Sequence, residues 1–153
     1  MSVFNDDEDE VATLLAEPAT VLALSDAGAH ASQLCDACFS TYLLGRWVRE
    51  RGTFTVEQAV RMLTSRPAEV FGIRDRGRLA TGLAADVVVF DPATVGASSL
   101  RRVHDLPAGG DRLVADAYGI EAVIVNGRVI RSGGKDIGGS DQRLPGRVLR
   151  GGA

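Results

Sequence analysis

Few residues in this chain combine a reactive side chain with a suggestive neighbourhood. Asp26 and His30 stand in Ser25-Asp26-Ala27-Gly28-Ala29-His30, a loop of polar and small residues that follows a short apolar run. A carboxylate in such a loop can serve as a general acid or base. It can equally cap a turn or a helix, a common use of aspartate. His30 lies four residues further on and suits either a substrate contact or a structural role. Cys35 and Cys38 are spaced C-x-x-C, as in redox or metal pairs. No strand–helix unit of thioredoxin type surrounds them, and one such pair supplies only half of a structural zinc site. His104 is the second of only two histidines. A catalytic zinc takes three protein ligands and a two-metal site takes more, so this chain can build at most a poor metal centre.

The elements that must carry these residues fall into two halves. Val11, Leu14 and Leu15 recur at helical spacing within Glu8–Glu17, and Pro18 ends that segment. The run Thr20–Leu24 has the length and character of one buried parallel strand. A helix is predicted through Cys38–Arg51 with Gly52 as its stop. Thr55 and Gln58 form a capping box for the next helix, and Pro67–Phe71 reads as a short helix stopped by Gly72. The second half turns to strands: Val87–Phe90, then Glu121–Val125 and Arg128–Arg131 around an Asn126-Gly127 hairpin turn. Ala93–Tyr118 reads as a long loop, and the Gly-rich tail from Ser132 as irregular. Three or four such strands cannot close a sheet alone.

Composition narrows the field further. The chain has 153 residues, 45% of them hydrophobic and 24% charged, which argues against disorder. No apolar run approaches the ~18–20 residues of a membrane span. Five acidic residues, at positions 6–10, crowd the first ten, and the other 143 residues carry 17 basic and 15 acidic side chains. The acidic run suits the positive end of a helix dipole. The arginines are scattered rather than gathered in a stripe, so no nucleic-acid partner is expected. An acidic N-terminus is unlike a signal peptide, and two reduced thiols suit a cytoplasmic protein.

Several segments together carry a family likeness: SDAGAH (25–30), CDA (35–37), TYLLGRWVRER (41–51), LTSRPAEVFGIRDRGRL (63–79), GLAADVVVFD (82–91), HDLPAGGDRLV (104–114), VNG (125–127) and PGRVLRG (145–151). With these the chain resembles the C-terminal portion of N-acyl-D-amino-acid deacylases, in the metal-dependent amidohydrolase superfamily. The GLAADVVVFD type of segment identifies only the superfamily, whereas SDAGAH followed by CDA, HDLPAGG and PGRVLRG is narrower.

The resemblance implies an α/β fold: the C-terminal fragment of an amidohydrolase (β/α)8 barrel, its last strand and helices, plus the C-terminal strands of a small β-sandwich. Residues 1–75 would be the last βα portion of the barrel, and residues 76–153 the composite sandwich and tail. Thr20–Leu24 would be the eighth barrel strand, with Asp26 the catalytic aspartate at its C-terminal end, where barrel active sites lie. His30 would contact substrate. Zinc would serve the parent enzyme, which hydrolyses N-acyl-D-amino acids, small molecules, by attack on a carbon–nitrogen bond that is not a peptide bond. The family's metal ligands lie on earlier strands, so this chain, truncated at its front, is expected to bind no metal and to be inactive alone. An oligomer or a complementary barrel chain would cover its exposed apolar surface. A subunit of a split amidohydrolase and a non-catalytic assembly module are the other readings. Asp86 is expected to make a structural hydrogen bond at a strand start, and His104 to pack beside the β-domain.

Overall fold

The computed structural model describes residues 7–22, 25, 27–138 and 143–149. Helix α1 (Glu8–Ala16) begins where Asp7 accepts hydrogen bonds from the backbone N–H groups of Asp9 and Glu10, at 2.9 and 3.2 Å. Its acidic first turn complements the helix dipole. Helix α2 (Phe39–Tyr42) continues directly into a π-helical stretch, Leu43–Glu50, which ends ahead of Gly52 at φ 63°. The predicted capping box is present at α3 (Val56–Leu63): Gln58 N–H donates to Thr55 Oγ1 at 3.2 Å, and Thr55 N–H donates to Gln58 Oε1 at 2.8 Å. Helix α4 (Ser65–Val70) starts two residues before the expected Pro67, and Gly72 at φ 67° follows it.

The main sheet is antiparallel, in the order β1 (Val87–Phe90), β6 (Ile120–Val125), β7 (Arg128–Ser132), β8 (Lys135–Asp136). Asn126 and Gly127 both take positive φ, 47° and 77°, as a two-residue hairpin turn between twisted strands requires. Asp86 pins that turn to the start of β1, because its carboxylate accepts from Asn126 N–H at 2.7 Å and from the Arg76 guanidinium.

Ala93–Tyr118 departs from its reading as a loop. It contains β2 (Gly96–Ala97), β3 (Arg101–Val103), β4 (Arg112–Val114) and β5 (Ala117–Tyr118), with β2 paired to β5 and β3 to β4. These strands are too short to show an apolar alternation. Ion pairs brace them instead: Arg101–Asp116 at 3.1 Å and Arg112–Asp105 at 2.7 Å. The short β8 likewise departs from the irregular tail. Thr20, Val21 and Leu22 join no sheet, and Ala23 and Leu24 lie outside the described residues, so the expected strand Thr20–Leu24 is not seen as one. A parallel strand needs a neighbour in register, and none lies beside these residues among those described.

The core forms where the two halves meet. Leu43, Leu44, Trp47, Phe54 and Ala59 pack around Val95, which is 1% exposed. Asp91 shapes the turn that delivers it: its carboxylate accepts from Ala93 N–H at 2.9 Å, and its carbonyl accepts from Val95 N–H at 2.8 Å. Arg49 donates from the helix to the Val95 carbonyl. Two glycines permit this approach. A Cβ on Gly45 would lie 3.0 Å from the Val95 carbonyl oxygen, and one on Gly119, at φ 71°, would lie 2.4 Å from the Val95 nitrogen. Glu8 fastens α1 to this body by salt bridges to Arg46, at 2.8 Å, and Arg51, whose guanidinium stands 5.3 Å from the Trp47 ring centroid.

The outer flank of β1 pairs with no strand among the described residues, and Val88 and Val89 are 52% and 45% exposed. Beside it runs an apolar groove of about 450 Å³, lined among others by Phe39, Leu44, Leu63, Leu79 and Phe90.

Two outcomes are expected. Gly119→Ala combines a left-handed backbone with a clash against main chain that cannot yield, so it should cost about 3 kcal/mol or more, read as a lowered urea midpoint. The two arginines hold the Glu8 carboxyl below its ordinary range. Their pairing therefore stabilises the fold fully above the unfolded carboxylate value of about 4.3, and the contribution is lost as pH falls through the lower folded value. Trp47 fluorescence and α1 amide protection should change on that acid limb, and Glu8→Gln should remove the transition.

Candidate functional site

Of the SDAGAH loop, Ser25 and residues 27–30 are described. Ser25 Oγ accepts from Ala27 N–H at 3.3 Å, and Gly28 turns the chain at φ 96°. A Cβ on Gly28 would meet nothing within 4 Å, so this turn stands open rather than packed. His30 is exposed and adopts φ 48°, uncommon for a residue with a side chain. That conformation aims its carbonyl at the following turn, where it accepts from Gln33 N–H at 2.7 Å and Leu34 N–H at 3.0 Å. Asp26 lies outside the described residues.

The loop is tied from outside by the β3–β4 hairpin, about 70 positions later in the chain. Leu113 N–H donates to the Ala31 carbonyl at 2.8 Å, and Arg102 Nη2 donates to the Ser32 carbonyl at 3.1 Å. Asp111 pairs with the same guanidinium. The HDLPAGG segment forms the tip of this hairpin, with Pro107–Gly109 in a 3₁₀ turn. Arg102 and Leu113 were not singled out in the sequence, and a contact this distant leaves no local mark on it.

Cys35 and Cys38 are both free and half-buried. The Cys38 thiol donates to the Cys35 carbonyl at 3.6 Å. Burial pushes the Cys38 thiol up, and the nearby Cys35 and Asp36 add to the effect. Such a thiol is a poor nucleophile at neutral pH. Among the described residues no group of three or more His, Cys, Asp and Glu side chains is placed to hold a metal ion. The donor set described here therefore does not fit a zinc centre. Asp86 serves the hairpin turn, in keeping with its structural reading.

Residues 5–131 match the amidohydrolase family model, and the chain belongs to the amidohydrolase family. It is 46% identical over 110 residues to an N-acyl-D-glutamate deacylase of Alcaligenes xylosoxydans xylosoxydans, covering 72% of this chain and 20% of that protein. A D-aminoacylase of the same organism is 36% identical over 123 residues, covering 79% of this chain and 23% of the relative. A solved D-aminoacylase, whose structure addresses its binuclear metal centre, is 35% identical with a TM-score of 0.52, covering 65% of this chain and 19% of that one. The chain thus spans about a fifth of the length of the relatives it matches. No helix among the described residues is long and apolar enough to cross a membrane.

The raised Cys38 thiol has a direct readout. Iodoacetamide at pH 8 should label Cys38 several-fold more slowly than a free cysteine, whose pKa is about 8.5, with the site located by peptide mass spectrometry.

Proposed function

We propose that this chain is the Asp26-bearing part of a hydrolase that cleaves the amide carbon–nitrogen bond of N-acyl-D-amino acids. The observation that carries the reading is the 46% identity to an N-acyl-D-glutamate deacylase over 110 residues. Asp26 accepts a proton from the attacking water and delivers it to the amine that leaves. His30, exposed on an open turn, contacts the bound substrate. In this reading residues 1–75 close a (β/α)8 barrel, and residues 76–153 complete a small sandwich beside it. Zinc belongs to the whole enzyme and is held by ligands that the described residues do not supply. The chain by itself is inactive. The flank of β1, unpaired among the described residues, and the adjoining groove offer the rest of the enzyme a pairing surface, since an apolar strand open on one side accepts another.

A chimera tests the reading. Residues of this chain replace the matching 110-residue region of the N-acyl-D-glutamate deacylase, and hydrolysis is followed as amine release. The chimera should turn over substrate, whereas the 153-residue chain alone should show neither turnover nor stoichiometric zinc. Asp26→Asn in the chimera should lower kcat by about a hundredfold or more. His30→Ala should act mainly on KM, by about tenfold. Turnover by the isolated chain contradicts its inactivity, and full activity of the Asp26→Asn chimera removes the aspartate from the mechanism.

A further inference from the structure

The His30 turn makes its own two hydrogen bonds, yet residues 27–30 are all exposed. A left-handed residue in such a turn holds its conformation only when the surroundings over-determine it. The hairpin supplies that surplus. Leu113 turns its N–H away from its partner strand and spends it on the Ala31 carbonyl, 2.8 Å away. Arg102 reaches across at the same level to the Ser32 carbonyl. Arg102 is itself held from the far side by Asp111, so its planar guanidinium bridges a fixed carboxylate and the loop backbone. The hairpin in turn is anchored at its base, where Ser98 N–H donates to the Asp116 carbonyl at 2.8 Å and Arg101 pairs with the Asp116 carboxylate.

We propose that Arg102 is a positioning residue: through the Ser32 carbonyl it fixes the turn that presents His30, and the HDLPAGG hairpin exists to carry it. The inference rests on the reading of His30 as a substrate contact, but its test does not need substrate. The bridge joins residues 70 positions apart, so it locks the loop without stiffening the loop's own sequence, which keeps Gly28 and small side chains open to a ligand.

Amide exchange in the full chain, followed by NMR, decides the matter. Gln33 and Leu34 donate to the His30 carbonyl, so their protection reports the turn. Arg102→Ala should reduce it about five- to tenfold, the worth of one charge-assisted hydrogen bond. The His30 ring resonances should shift with it, while Val123 and Ile124 in the main sheet stay unchanged. Unchanged protection in Arg102→Ala, or an equal loss at Val123 and Ile124, overturns the proposal. If Arg102→Ala does not fold, Asp111→Asn decides instead: selective loosening of Gln33 and Leu34 supports the bridge, and intact protection overturns it. Loosening of the turn, with a His30→Ala chimera that hydrolyses substrate normally, would uphold the bridge and dismiss His30 as a substrate contact.

Discussion

Everything in this molecule depends on the seating of one valine. Val95 comes from the strand-rich half and fills the middle of the helical half, against Leu43, Trp47 and Ala59. The fit is made from both sides by absence of side chain, at Gly45 on the helix and Gly119 before β6. Asp91 sets the turn, and Arg49 holds the carbonyl. Burying one valine contributes about 1.5–3 kcal/mol. Its larger effect is geometric, because it fixes where the sheet and the short hairpins stand relative to the helices. The brace on the SDAGAH loop is delivered from that placement.

Charge does the rest of the organising. Few apolar side chains are fully buried, and the short strands hold their places through arginine–carboxylate pairs. Arginine suits this work because its planar fork satisfies a carboxylate and a backbone carbonyl together, as Arg102 does with Asp111 and Ser32. The scattering of arginine along the chain, which speaks against a nucleic-acid surface, has a positive meaning here. Each arginine named above is matched to a carboxylate or carbonyl close at hand. Exposed pairs contribute little stability individually, so their value lies in fixing direction.

Local signals in the sequence were legible in proportion to how local their physics is. The Thr55–Gln58 capping box, the Asn126-Gly127 turn and the glycine stops at Gly52 and Gly72 each act within a few residues, and each was read correctly. The strands of Ala93–Tyr118 were missed because two- and three-residue strands carry no periodicity, and their partners are chosen by salt bridges across the hairpins. The π-helical winding of Leu43–Glu50 was also invisible, since no local pattern marks it and the widening appears beside Val95, a distant residue. Of the site, the loop residues were named from their motif. The bridge to them was not, because nothing near Arg102 announces a contact at position 32.

The open flank of β1 has a consequence for how the sheet can be extended. Among the described residues no strand lies beyond the four apolar residues Val87–Phe90, so this flank can receive an extended segment, whether from the same polypeptide or from another copy. Whatever strand settles there lengthens the sheet from its apolar side, and carries the groove beside β1 from an open face to an inner one.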